Sequence, residues 1–175
     1  MHRHFLFALV VTVGIAPLQG ATLQRISLDN MIAKSTAIVR GRVTGSKASI
    51  SGPVIYTHYA VQVTEHYKCG AQDGQDVVVP GGVVNHWQQT FSGVPELKTG
   101  DEYVLFLWTG PSGLTQIMGL TQGLFTLSGT TATRIAASEI MLEPGTGQQV
   151  KDQTLVMSLG DLRARIASTL RGSVK

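Results

Sequence analysis

The amino-acid sequence predicts a mostly β domain, built as a small β-barrel of five to seven strands with a helix near each end. Residues 54–67 alternate between two faces and are rich in β-branched and aromatic residues, the pattern of a half-buried strand. Residues 102–108 form a second strand pattern that is apolar on both faces. The 20 glycines recur at the short intervals expected of turns between strands. A β-sandwich is the alternative architecture.

The composition favours a packed core, because 43% of the residues are hydrophobic and only 14% are charged. A straight strand over residues 54–67 would extend over about 40 Å. A small sheet cannot use that length flat, so we expect this strand to bend around a barrel or sandwich.

The first residues have the pattern of a secretory signal peptide. A basic start, an apolar run over residues 5–15, and small residues at Gly20 and Ala21 follow one another in the expected order. The apolar run is too short to span a bilayer, and an uncleaved membrane anchor is the alternative. We therefore expect a signal peptide over residues 1–21 and a single exported domain, periplasmic or extracellular, over residues 22–175.

The charge balance gives no reason to expect nucleic acid or a membrane surface as a partner. The chain has 14 basic and 11 acidic residues, and removal of Arg3 with the signal peptide leaves 13 and 11, or +2. Cys69 is the only cysteine, so an intrachain disulfide is excluded and a Cys69-linked dimer is the covalent assembly that the sequence allows.

The first elements of the domain are a short helix and a strand. Ser27 can cap a helix over residues 28–34. Residues 37–44 alternate as a strand with a basic outer face, and Gly41 within this strand suggests a bulge or a close backbone approach. The long strand over residues 54–67 follows, and the two strands are expected to pair antiparallel.

The middle of the chain contains short strands and one long irregular segment. Residues 77–79 form a short strand, and residues 83–100 have no clear period, so we expect a loop with one short strand there. Because the strand over residues 102–108 is apolar on both faces, something must also cover the outside of the sheet, and a helix is the expected cover.

The last part of the chain predicts further strands and a helix. Short strands are expected over 114–118, 124–127 and 131–135, followed by a connecting segment. Ser158, with Asp161 three residues later, can cap a helix over residues 159–171 that would pack outside the sheet. Five to seven strands with these helices fit best a barrel of the oligonucleotide/oligosaccharide-binding (OB) type.

Six motifs follow one another over most of residues 28–127. They are Leu28-Asp29-Asn30-Met31, Ala37-Ile38-Val39-Arg40-Gly41-Arg42-Val43, Ile55-Tyr56-Thr57, Val79-Pro80-Gly81-Gly82, Glu102-Tyr103-Val104-Leu105-Phe106-Leu107 and Gly119-Leu120-Thr121-Gln122-Gly123-Leu124-Phe125. In these motifs the chain resembles a family of uncharacterised exported bacterial β-domain proteins. These motifs consist of turn and core residues with no catalytic group, so the resemblance implies an exported β domain and little about chemistry.

A looser resemblance is to the netrin-like barrel of metalloprotease inhibitors. That family inserts an amino-terminal cysteine onto the catalytic zinc of its target. Here the mature chain would begin near Ala21 or Thr22, and Cys69 lies in mid-chain. The resemblance therefore implies the netrin-like barrel without the inhibitory group.

The best candidate binding residues lie in the irregular segment, where aromatic side chains stand beside amides, a combination suited to sugar or peptide contacts. These residues are His86, Trp87, Gln88, Gln89 and Phe91. The alternative is that Trp87 and Phe91 pack back over the end of the barrel.

No residue pattern predicts catalysis, a cofactor or a metal site. His58 and His66 are separated by about 26 Å of extended strand, too far for one metal ion. Glu65, on the otherwise inward face of its strand, is expected to lie past the core edge or to pair with Arg40 or Arg42.

The functional prediction is therefore an exported, non-enzymatic binding module for an unknown protein or carbohydrate partner. A protease-associated or protease-inhibitor-like domain is the alternative, and a hydrolytic enzyme is the remote one.

Overall fold

The structure is a computed structural model that describes residues 22–68 and 72–172. The predicted signal peptide and Cys69 lie outside the described residues. The helices are α1 (Leu28–Lys34) and α2 (Leu159–Gly172), with a 3-10 helix over Leu120–Gly123. The strands are β1 (Thr22–Gln24), β2 (Ala37–Ser51), β3 (Val54–Lys68), β4 (Gly74–Pro80), β5 (Gly82–Val84), β6 (Trp87–Gln89), β7 (Glu102–Thr109), β8 (Thr115–Ile117), β9 (Leu124–Ser128), β10 (Thr131–Arg134), β11 (Ile140–Leu142), β12 (Gln149–Val150) and β13 (Leu155–Ser158). The predicted mostly β class with a helix near each end is confirmed.

One large antiparallel sheet organises the molecule. Its strand order is β13-β10-β9-β7-β2-β3-β4, and β8 pairs with the last residues of β7. In a small three-stranded sheet, β1 pairs parallel with β11, and β11 pairs antiparallel with β12. Strands β5 and β6 form a separate hairpin, so the segment in which we expected one short strand contains two.

The sheet curls but does not close into a barrel in the described part of the chain. Three register shifts along the β2–β3 ladder allow these 15-residue strands to coil. Strand β4 thereby comes to lie against β8, but the two form no ladder, and a cavity of about 160 Å³ lies between them. The prediction was a closed or nearly closed barrel, and the closed form is not found among the described residues. The edge of β7 opposite β2 pairs with β9 and with the three-residue β8, and β8 is too short to form a ladder with β4.

Strand β7 is buried on both faces, as predicted. Tyr103, Leu105 and Leu107 belong to a core enclosed by β2, β3, β4 and the loop residue Leu97. Val104 and Phe106 belong to a second core on the other face. Helices α1 and α2 cover that second core with the buried side chains Met31, Ile32, Leu159, Leu162 and Ile166. The expected helical cover is therefore supplied by both helices.

Both helices begin at the predicted caps. The Ser27 hydroxyl accepts a hydrogen bond from the amide of Asn30 at 3.2 Å. The Ser158 hydroxyl accepts one from the amide of Asp161 at 3.0 Å and lies 2.7 Å from the Asp161 carboxylate. No helix within residues 22–68 and 72–172 is long and apolar enough to cross a membrane.

Gly41 occupies a position where the backbone leaves no room for a side chain. The β2–β3 register shifts between Arg40 and Gly41, and a Cβ on Gly41 would lie 2.6 Å from the Val61 side chain. The prediction of a bulge and a close approach is confirmed.

Glu65 is the ladder partner of Arg40, one of the two predicted arginines. Its ion pair, however, is with Arg163 of α2, while Arg40 forms an ion pair with Glu102 at 2.7 Å. The sequence did not predict the ion pair with Arg163, because α2 comes from the far end of the chain and reaches β3 only in the folded protein.

Candidate functional site

The β5–β6 hairpin carries the residues predicted to bind a ligand. Val84 is paired with Trp87, so Asn85 and His86 form a two-residue turn, with positive φ angles of 47° and 70°. Two successive left-handed residues are the signature of a type I′ turn, which matches the twist of a hairpin. Asn85 tolerates this backbone well, and His86 is held in it with its side chain exposed.

The hairpin is fixed to the turn between β2 and β3 by the side chain of Gln89. Its Oε1 accepts a hydrogen bond from the amide of Ile55 at 2.6 Å, and its Nε2 donates to the carbonyl of Pro53 at 2.9 Å. Gly82 sits so close to β3 that a Cβ would lie 2.6 Å from the Thr57 hydroxyl, and its φ is +136°. Gln89 therefore anchors the hairpin to the β2–β3 turn, and its side-chain amide already forms hydrogen bonds within the protein.

The other predicted residues are presented to solvent. Trp87 is 73% exposed and Phe91 is 45% exposed, so Trp87 does not pack over the end of the sheet. Two aliphatic side chains, Val83 of the hairpin and Ile50 of β2, are 60% and 54% exposed. His86 and Gln88 are exposed as well. A hairpin that is anchored to the sheet and carries an exposed tryptophan has the features of a contact surface.

A groove of about 490 Å³ runs beside this hairpin. One wall is the stretch Ser46–Ala48 of β2, and the other walls are the hairpin and the loop over residues 91–96. Lys47 and Glu96 carry the charges among the lining residues. The rest are apolar or neutral polar groups, which suits a ligand that offers hydrogen bonds and apolar side chains.

We expect Gln89→Ala to lower the free energy of unfolding by about 1–3 kcal/mol, because the Ile55 amide would lose its hydrogen bond to the Gln89 side chain. Chemical denaturation measures this difference. Gln89→Glu is the matched variant, since its carboxylate still accepts from Ile55 but faces the Pro53 carbonyl with an acceptor in place of a donor. If the alanine variant were as stable as the unchanged protein, these hydrogen bonds of Gln89 would not stabilise the fold.

A second polar arrangement crosses the outer face of β2, β3 and β4. The Ser49 hydroxyl lies 3.0 Å from Nε2 of His58, and Nδ1 of His58 lies 2.8 Å from the Asp76 carboxylate. In the tautomer that donates Nδ1–H to Asp76, Nε2 accepts the Ser49 proton, which is the connectivity of a serine–histidine–aspartate triad. Asp76 is largely exposed, with 59% of its side chain in contact with solvent. Water therefore competes for its hydrogen bond to His58.

Sequence reasoning missed this arrangement because none of its members are neighbours in the chain. Lys47 is the ladder partner of His58, and Ser49 is its diagonal neighbour. Only the strand register, set by the turn at Gly52-Pro53, brings the three side chains onto one diagonal of the sheet. The register of a hairpin with a two-residue turn was the signal that could have found the first pair.

Several other polar side chains of the sheet have partners. His66 lies 3.2 Å from Asp73. The Arg40 guanidinium holds the pKa of Glu102 below its ordinary value, and Thr64 also donates to Glu102. In the described ranges, no group of three or more histidine, cysteine, aspartate or glutamate side chains converges in a metal-binding arrangement.

Comparison with known proteins supplies no further constraint on this site. The sequence matches no protein-family model, and no curated protein matches it.

Proposed function

We propose that the protein is an exported interaction module that recognises a protein or carbohydrate partner through the β5–β6 hairpin. The single observation that supports this proposal is the 73% exposure of Trp87 on a hairpin whose backbone is held by Gln89 and Gly82. A large amphipathic side chain on an anchored backbone loses little conformational entropy when a partner covers it, which favours binding. Phe91, Val83 and Ile50 are further exposed apolar side chains, and Val83 lies on the face of the hairpin opposite to Trp87.

We expect Trp87→Ala to abolish capture of the partner from the extracytoplasmic fraction of the source cell. An exposed tryptophan at the centre of an interface contributes about 2–4 kcal/mol, a loss of roughly 30-fold or more in affinity. The measurement is a pull-down with the immobilised protein, scored by the proteins or glycans that differ between the variants.

The matched control is Trp108→Ala. Trp108 is 42% exposed and lines a separate groove with Ile26 and Met118, so it should retain every partner. If both alanine variants retained the same partners, the hairpin would not be the binding site. If both lost them, the loss would not be specific to the hairpin.

The protease-inhibitor alternative would act through loops. A protruding amino-terminal segment would favour it, but residues Thr22–Gln24 are paired in parallel with Ile140–Leu142, and the Arg25 amide donates to the Leu142 carbonyl at 2.9 Å. These residues do not protrude, so they give this alternative no support.

Hydrolysis of an ester is the second candidate function, and the Ser49–His58–Asp76 geometry is the observation that favours it. The Ser49 hydroxyl would attack the ester carbonyl while its proton passes to Nε2 of His58. The alcohol would leave with that proton, and water would release the acid from the acyl-serine in a second cycle of the same transfers.

A fluorophosphonate probe tests this candidate directly, because it forms a covalent bond with an activated serine. We expect labelling of the unchanged protein and none of Ser49→Ala, with hydrolysis of p-nitrophenyl acetate lost in the same variant. Ser46→Ala is the matched control on the same strand. Equal labelling of all three proteins, or of none, would eliminate the triad.

A further inference from the structure

Strand β2 is paired on only one side along its second half. Its ladder with β7 ends where Arg42 pairs with Glu102. One further step is supplied by Val43, whose amide donates to the Asp101 carbonyl at 3.0 Å. From Thr44 to Ser51, β3 continues on one side, and no strand of the described ranges pairs with the other side. An open strand edge presents unpaired amide and carbonyl groups at a regular spacing.

The hydrogen bonds of Ile55 show which residues present these groups. Its amide donates to Gln89 and its carbonyl accepts from Gly81, so neither group is used toward β2. Ile50, the ladder partner of Ile55, is therefore in a non-hydrogen-bonded pair, with its own amide and carbonyl directed at the open edge. Because the register is unbroken from Ser46 to Ser51, the same orientation applies to Ala48 and Ser46.

The groove beside the hairpin lies along this edge. Ser46, Lys47 and Ala48 form its β2 wall, and Phe91 stands across from them. Ala48 lies on the face of β2 that the hairpin covers, since a Cβ on Gly82 would approach its side chain to 3.2 Å. A strand added to the edge would therefore direct alternate side chains toward the hairpin and its exposed apolar groups. The others would point to the outer face.

The charge of Lys47 indicates what kind of strand the open edge would bind. Lys47 is the only charged residue between Thr44 and Ser51, and it lies on the outer face beside His58. An incoming strand with an acidic residue opposite Lys47 gains a favourable cross-strand pair. A second copy of the same edge, added antiparallel around its centre, would bring the two Lys47 ammonium groups together, which disfavours self-pairing.

We propose that the open edge of β2 binds an extended peptide segment of a partner protein as an added antiparallel strand. Apolar residues of the peptide face the hairpin, and an acidic residue lies opposite Lys47. This inference rests on the proposed function, because it makes the hairpin one wall of the peptide site. It narrows the partner from protein or carbohydrate to a polypeptide whose backbone is recognised.

The test begins with selection of linear 12-residue peptides from a phage-displayed library on the purified protein. The selected peptide is then resynthesised with a single N-methyl group at each backbone position in turn. N-methylation at every second position should weaken binding about tenfold, because those amides pair with β2, and the alternate positions should tolerate it. This scan leaves the protein unchanged, so misfolding cannot produce the pattern.

Charge reversal tests the acidic preference. Selection on Lys47→Glu should enrich peptides with a lysine or arginine where the unchanged protein enriches an acid. Absence of enriched peptides would overturn strand addition. So would sensitivity to N-methylation that does not alternate along the peptide, or a concentration-dependent dimer of the unchanged protein.

The two proposals can fail separately. If Trp87→Ala weakens the selected peptide but N-methylation shows no alternation, the hairpin site stands and strand addition fails. If the alternation persists while Trp87→Ala leaves affinity unchanged, strand addition stands and Trp87 is not part of the contact.

Discussion

Replacing Asp152 with asparagine is expected to lower the free energy of unfolding by about 3–5 kcal/mol, the typical result of breaking a buried ion pair. Asp152 receives two hydrogen bonds from Arg134, at 2.7 and 2.9 Å, and the side chains are only 4% and 9% exposed. The amide of Ala137 donates to the same carboxylate at 2.8 Å. Asparagine preserves the shape of the site but leaves the Arg134 charge buried without its counter-charge.

Chemical denaturation of the two proteins measures this loss. Glu143→Gln is the matched control, because its ion pair with Arg25 lies at the surface and contributes at most about 1 kcal/mol. Equal losses in the two variants would mean that burial of the Arg134–Asp152 pair does not set its contribution.

The same substitution should reduce the sensitivity of the fold to acid. Burial acts to raise the pKa of Asp152, but the hydrogen bonds from Arg134 and the backbone outweigh it and hold the pKa below its ordinary value. A carboxylate with a lowered folded pKa contributes stability that is complete above about pH 4 and is lost as the pH falls through the folded pKa. Asp152→Asn should therefore show a shallower loss of stability below pH 4. Part of the slope should remain, because the pKa of Glu102 is also lowered.

Replacing Phe106 with alanine is expected to lower the free energy of unfolding by about 3–5 kcal/mol, the usual cost of removing a buried aromatic ring. Phe106 is completely buried on the helix-covered face of β7, with its ring centroid 5.7 Å from that of Phe125. Its removal would leave a cavity between the sheet and α1 and α2 that this rigid core cannot fill.

Thermal and chemical unfolding measure the effect of this change. Phe91→Ala is the control with the same substitution at a side chain that is 45% exposed, and it should lose at most about half as much. A loss at Phe106 no larger than that at Phe91 would show that the second core contributes little to the fold.

Local patterns predicted the elements well because their causes lie within a few residues. The cap at Ser27, the cap at Ser158 and the bulge at Gly41 are formed as expected. The two-sided burial of β7 followed from its apolar residues alone. The outcomes that the sequence did not predict concern partners distant in the chain, such as the ion pair of Glu65 with Arg163, 98 residues away.

The candidate site was also predicted only as far as local sequence allowed. Aromatic and amide residues in the irregular segment marked the hairpin, but their roles depended on packing against β2 and β3. Gln89 anchors the hairpin through its hydrogen bond with Ile55, and Trp87 is exposed. The open edge of β2 could not be predicted, because it exists only where β7 stops pairing at Arg42.

By itself, the sequence determined that the chain is mostly β, where its helices begin and end, and that one strand is buried on both sides. These properties follow from periodicity and capping, which are short-range. Only the tertiary structure decided that the sheet curls without closing, that Trp87 faces solvent, and that Ser49, His58 and Asp76 meet. Those outcomes depend on strand register and on which edges remain unpaired, and long-range pairing energies set both.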